Sequence, residues 1–168
     1  MFPTHFEPVL RYDEDMKALL YCAAYKKDFA TPGYGVAKWD TPILGKPLLK
    51  WQTESLLHNG VDHLFIAWPK KADVPDFLAG NAQVSLLLLD KPKGNAGAIA
   101  SLAELDEDLL YVPGDLFLDV DLHRFLKFHK EKGAMISAFV HPEPHPEQKD
   151  VLIVKPNGRG FVVLPKET

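Results

Sequence analysis

The chain has 168 residues, 46% of them hydrophobic and 25% charged, a balance that fits one soluble globular domain with a sizeable core. Its 19 Lys and Arg against 23 Asp and Glu give a net charge of −4, which argues against broad nucleic-acid or membrane-surface binding. The single cysteine, Cys22, excludes an internal disulfide and fits a buried structural thiol in a reducing, cytoplasmic setting. The first residues lack a basic segment followed by a continuous apolar core, so they do not read as a signal peptide. No apolar run approaches the roughly 20 residues needed to span a bilayer.

In chain order, residues 1–15 read as an extension, with Pro3, Pro8 and the acidic run Asp13-Glu14-Asp15. The rest, 16–168, reads as a single domain. Residues 17–24 (KALLYCAA) form the first buried strand, and 25–41, with Pro32, Gly33 and Gly35, a loop. A helix over 47–59 has Pro47 near its first turn and Gly60 just past its end. Residues 62–68 (DHLFIAW) are a second strand, 70–79 a short polar helix or turn, and 83–89 (QVSLLLL) a third strand. A loop at 90–94 leads into a helix over 96–105, then a fourth strand at 109–112 and a helix over 121–132 stopped by Gly133. Residues 134–140 are a fifth strand, and 151–154 and 161–164 flank Pro156-Asn157-Gly158 as a hairpin. Strands alternating with helices predict an α/β fold with a mostly parallel sheet and right-handed crossovers.

Chemistry concentrates in LLYVPGDLFLDVDL, residues 109–122. A strand apolar throughout is buried on both faces, and open α/β sheets bind ligands beyond the carboxyl ends of such strands. Gly114 permits a tight turn and close approach of a ligand, and Asp115 puts a carboxylate at that end. One carboxylate suits Mg²⁺, which fills its remaining positions with water and phosphate oxygens. Two further loops join it: PILGKPLL over 42–49, with Lys38 four residues upstream, and KPKGNAGA over 91–98, which opens a helix whose backbone amides can hold an anion or a base edge. The helix DLHRFLKFHKEKGA, 121–134, gathers Leu122, Phe125, Leu126 and Phe128 toward one face, and Asp121 is placed to cap it. His123 and His129 read as surface or rim residues. In HPEPHPEQ, the prolines make His141, Glu143 and His145 an exposed turn rather than a metal site.

PILGKPLL, KGNAGA, VPGDLFLDVDL and DLHRFLKFHKEKGA, in this order and spacing, resemble the sugar-1-phosphate nucleotidyltransferases, the family of nucleotide-sugar pyrophosphorylases such as mannose-1-phosphate guanylyltransferase. The resemblance runs over about residues 16–166. It implies a three-layer, Rossmann-like nucleotidyltransferase fold with a C-terminal hairpin. It also implies an NTP and a sugar-1-phosphate, or the nucleotide-sugar, as ligands, with Mg²⁺ as cofactor. Carried onto this chain, Gly94, Asn95, Ala96 and Gly97 would line the base and ribose, with Ala23 and Ala24 at the end of the first strand and Gly114 beside them. Asp115 would bind Mg²⁺, Lys38 would neutralise phosphate charge, and Lys166 would contact the sugar phosphate. Lys38 and Asp115 are therefore the expected catalytic residues. The expected reaction is nucleotidyl transfer to the sugar-1-phosphate with release of pyrophosphate, in a homo-oligomer or beside a partner subunit.

The family's phosphate loop, G-x-G-T-R, is replaced by Tyr25-Lys26-Lys27-Asp28-Phe29, in which Tyr25 crowds the phosphates and Asp28 repels them. Lys26 or Lys27 would replace the charge of the arginine but not its planar fork. Gly33 and Gly35 offer a displaced phosphate loop. Pro165 stands where the family has a carboxylate before its lysine, and the family pattern continues beyond Thr168 to a second metal-binding Asp. Asp119 and Asp121 lie near enough in sequence to assist Asp115. These departures keep a second reading open, a non-catalytic relative that binds a nucleotide or nucleotide-sugar as a regulatory subunit.

Overall fold

The computed structural model describes residues 15–22, 37–91, 94–102, 105–140, 142, 144, 151–154 and 161–164. Two compact units emerge, Met1–Phe128 and His129–Thr168. The extension at 1–14, the loop at 25–36, and Ala23, Ala24, Lys166, His141, Glu143 and His145 lie outside the described residues.

The first unit is built on a four-stranded sheet of β1 (Met16–Tyr21), β4 (Val61–Pro69), β5 (Val84–Leu89) and β6 (Leu109–Pro113). Its order is β5-β4-β1-β6, and every neighbouring pair is parallel. This is the predicted parallel α/β sheet. The alternation of β1 explains its central place. Ala18, Leu20 and Cys22 enter one core with Leu49 and Leu56 of α1 (Leu48–His58), Leu64 and Ile66 of β4, and Leu122 at the start of α3 (Leu122–Lys132). Leu19 and Tyr21 enter a second core with Ala67, Leu89 and Ala98 of α2 (Gly94–Ala100). Helices thus lie on both faces, and a strand apolar on both sides is the expected consequence. Asp121 accepts the Arg124 amide at 2.9 Å and caps α3.

Three local expectations are corrected. The helix placed at 96–105 is shorter and starts earlier, at Gly94; after Ala100 the Leu102 amide turns back to Ile99 O at 2.9 Å. The Ser101 hydroxyl donates to Gly97 O at 2.9 Å and competes with continued helix there. His123 is partly buried, with its ring turned inward. Its ring nitrogens are buried, and its Cε1 comes so near Gly60 that a Cβ there would stand 2.9 Å away. A hairpin that the sequence reading lacked, β2 (Pro42–Ile43) with β3 (Lys46–Pro47), precedes α1. Trp51 pins it by donating from Nε1 to Ile43 O at 2.8 Å, with Lys46 Nζ 3.3 Å above its ring.

At the tip of that hairpin Leu44 has φ 49° and is 84% exposed, so it bears left-handed backbone without burying its side chain. Leu44→Asn relieves this at no packing cost, because asparagine tolerates that region. The expected gain is about 0.5–1 kcal/mol, read as a rise in the denaturant midpoint at unchanged slope.

In the second unit α3 ends at Gly133, φ 52°, and β7 (Val151–Val154) pairs antiparallel with β8 (Phe161–Leu164), as the turn residues predict. Residues 134–140 are not the predicted fifth strand. Met135 and Ile136 are 95% and 73% exposed, and the segment pairs with no strand among the described residues. Apolar, β-prone residues make a strand only where a neighbour takes up their backbone groups.

Candidate active-site cleft

The sheet order fixes where a ligand can sit. From β1 the chain builds outward through β4 to β5, then returns past β1 to lay β6 on its other side. The crossovers diverge between β1 and β6, the crevice where open α/β sheets place ligands. A cleft of about 230 Å³ opens there, lined by Tyr21, Cys22, Lys38, Trp39, Asn95, Tyr111, Pro113, Gly114 and Asp115.

Gly114 follows β6, and its amide donates to Tyr21 O at 3.0 Å. A Cβ on Gly114 would stand 2.4 Å from that oxygen and 2.8 Å from Cys22 Sγ. Its missing side chain therefore lets β6 press against β1, a packing reason beyond the ligand approach read from the sequence. Asp115 comes next, where backbone no longer bound to the sheet turns its carboxylate into the cleft. Lys38 arrives from the other side on a single 3-10 turn, Lys38–Asp40. Trp39 anchors that turn, packing edge-on at 5.3 Å against Trp68, which is 1% exposed.

Lys38 Nζ and Asp115 Oδ2, 77 residues apart in sequence, are 3.1 Å apart. Both side chains are about two-fifths exposed, so the pair contributes at most about 1 kcal/mol and opens readily to another cation or anion. Tyr21 and Tyr111 form one wall, their ring centroids 6.5 Å apart. Burial first, then the negative charges of Tyr21, Asp115 and Cys22, push the Tyr111 phenol up to about 12. Burial, reinforced by Asp115, raises the Cys22 thiol well above its ordinary range.

Cys22 is 2% exposed. A buried thiol with a raised pKa is a poor nucleophile, so it reads as packing and not chemistry. It should react with an aromatic disulfide reagent at pH 8 at least 100-fold more slowly than free cysteine, and fully once guanidinium unfolds the chain. Labelling within a minute in native buffer would contradict this placement.

Of the residues expected at the site, the structure brings Lys38, Asn95, Gly114 and Asp115 onto one cleft. Gly94, Ala96 and Gly97 open α2 beside Asn95 but do not line the cleft. Asp119 and Asp121 do not line it either, and Asp121 is engaged as a cap. Among the described residues, no group of three or more His, Cys, Asp or Glu could hold a metal ion. Among the described residues, the donor set at the cleft is the single carboxylate of Asp115. This fits Mg²⁺ that arrives with phosphate oxygens, since that ion keeps most of its positions for water and substrate.

Gln52 of α1 was missed. It is 1% exposed, and its Nε2 donates to Pro113 O at 3.1 Å and Leu116 O at 2.6 Å, the carbonyls on either side of Gly114-Asp115. A signal existed. The buried stripe of α1 runs Leu48, Leu49, Gln52, Thr53, Leu56, and a glutamine inside it requires a partner.

The sequence pattern of the nucleotidyl transferase family matches residues 33–163, most of the chain. The chain belongs to that family. A Sulfolobus acidocaldarius protein named for mannose-1-phosphate guanyltransferase activity is 29% identical over 119 residues, covering 67% of this chain and 33% of that protein. A Synechocystis UTP–glucose-1-phosphate uridylyltransferase is 24% identical over 164 residues, covering 86% of this chain and 42% of the enzyme. The chain thus spans well under half the length of these family members. In fold it is similar to HddC from Yersinia pseudotuberculosis, with TM-score 0.68, 18% identity, and coverage of 91% of this chain and 70% of HddC. HddC complexed with GMP-PN gives TM-score 0.65. Among the described residues, no helix is long and apolar enough to cross a membrane.

Proposed function

We propose that the chain binds a nucleoside triphosphate with Mg²⁺ in the cleft between β1 and β6 and transfers its nucleotidyl group to a sugar-1-phosphate. The observation that carries this reading is the meeting of Lys38 and Asp115, 3.1 Å apart and 77 residues apart in sequence, at the topological switch point. The names of the similar proteins support the substrate class, and the GMP-PN complex of HddC supports a nucleotide in this fold.

Asp115 would hold the cation, and Mg²⁺ when bound supplies positive charge for the α-phosphate and the pyrophosphate. Lys38 exchanges its carboxylate partner for phosphate oxygens and neutralises the same charge. The 3-10 turn fixed by Trp39 sets where that ammonium stands. Asn95 faces the cleft with a donor and an acceptor for the base or ribose. The sugar-phosphate oxygen attacks the α-phosphorus in line, the bond to the β-phosphate oxygen breaks, and pyrophosphate leaves. No covalent enzyme intermediate is required, so positioning and charge carry the catalysis.

A second reading, binding without turnover in a regulatory subunit, rests on Tyr25-Lys26-Lys27-Asp28-Phe29 in place of G-x-G-T-R. One experiment tests both. Pyrophosphate release is measured across NTP and sugar-1-phosphate pairs with Mg²⁺, alongside thermal stabilisation by each NTP and nucleotide-sugar. A ligand at 100 times its Kd adds about 2.7 kcal/mol. Turnover supports the enzyme, stabilisation without turnover supports the binding subunit, and neither effect with any ligand overturns the reading.

A further inference from the structure

We propose that Gln52 is the positioning residue for Asp115, an inference that rests on the reading of Asp115 as the cation ligand. Gln52 touches neither the cleft nor the Asp115 carboxylate, and it acts through the backbone of the turn. Its two Nε2 hydrogens are divided between Pro113 O and Leu116 O, so one side chain from α1 brackets Gly114-Asp115. From the opposite side the Gly114 amide is held by Tyr21 O at 3.0 Å. The turn is fixed at three backbone atoms by two different elements, and the direction of the Asp115 side chain follows from it.

The glutamine carries a cost at this position. Its Oε1 is buried without a hydrogen-bond partner among the described residues, a cost borne at the position whose Nε2 holds both turn carbonyls. The amide cannot flip to relieve it, because its oxygen would then face two carbonyl oxygens. Leucine fills three of the other four buried positions of the stripe, with Thr53 the fourth. The chain keeps a polar group in its core where that group holds the metal-ligand turn, as a site built to sub-ångström tolerance requires.

Gln52→Met keeps length and volume but removes both donors, and Gln52→Leu, the residue that fills most of the stripe, is the second variant should the first fail to fold. The first readout is amide hydrogen exchange over residues 114–118 of the nucleotide-free chain. The expected result is exchange at least tenfold faster there, with amides of α1 and β4 unchanged. The second is the ratio of nucleotide Kd in EDTA to Kd in Mg²⁺, using the NTP that stabilises the wild type. That ratio should fall at least tenfold while the Kd in EDTA stays within twofold. Unchanged exchange at 114–118, or equal acceleration throughout the molecule, overturns the positioning role. A wild type that binds no nucleotide with Mg²⁺ overturns the functional reading instead, and the exchange result still decides whether Gln52 fixes the turn.

Discussion

Asp115→Asn is expected to abolish the Mg²⁺-dependent part of nucleotide binding and to lower any nucleotidyl transfer at least 100-fold, while leaving the melting temperature nearly unchanged. Asparagine keeps the shape and can still accept from Lys38, but it lacks the charge that holds a divalent cation. Its fold cost is small because the Lys38–Asp115 pair is about two-fifths exposed and worth at most about 1 kcal/mol. The same variant carries an internal control at Tyr111. The Asp115 charge is one cause of that phenol's rise to about 12, so its removal should lower the pKa while burial keeps it above 10. Absorbance at 295 nm during alkaline titration reads this directly. The sign for stability follows. The unfolded chain loses its tyrosine proton near pH 10, before the folded chain does, so this group leaves stability flat below pH 10 and reduces it between 10 and 12. The loss begins only above the unfolded value. A variant with wild-type Mg²⁺ dependence would remove Asp115 from the cation site.

Gly114→Ala should destabilise the chain strongly. The added Cβ would lie 2.4 Å from Tyr21 O and 2.8 Å from Cys22 Sγ, and the oxygen belongs to the backbone of the central strand. Neither neighbour can swing aside as a flexible side chain would. Relief requires β6 to separate from β1, which weakens the 3.0 Å bond from the Gly114 amide and displaces Asp115. We expect a loss of about 3 kcal/mol, or roughly 6–12 °C in Tm for a chain of this size. Nucleotide binding should fail with it. A Tm within a degree of wild type, with the site intact, would show that the turn has more room than its contacts imply.

The parallel sheet was legible because its strands are apolar on both faces and each is followed by turn or helix-start residues. The place of Asp115 at the end of β6 was legible from an apolar strand running into Gly114-Asp115, whereas Lys38, 3.1 Å from it, was read only from ordered motifs shared with a family. Gln52 was hidden. A glutamine in a helix stripe signals a buried partner but cannot identify carbonyls at 113 and 116, more than 60 residues away. The Leu44 turn was hidden as well, because a leucine with positive φ contradicts the residue preferences on which turn reading depends. Residues 134–140 misled in the opposite sense. Their apolar, β-branched character is real, yet strand formation is decided by pairing, and sequence alternation carries no information about a partner.

The central claim is that one cleft, between β1 and β6, takes both cation and nucleotide, and a paramagnetic ion tests it most directly. Mn²⁺ replaces Mg²⁺ in the presence of the NTP that stabilises the chain best, and broadening of backbone amide signals is recorded across the molecule. Loss of signal is expected to centre on Gly114, Asp115, Lys38 and Asn95, with amides of β5 unaffected, and no such loss in Asp115→Asn. Broadening centred elsewhere, or the same pattern in Asp115→Asn, would contradict it.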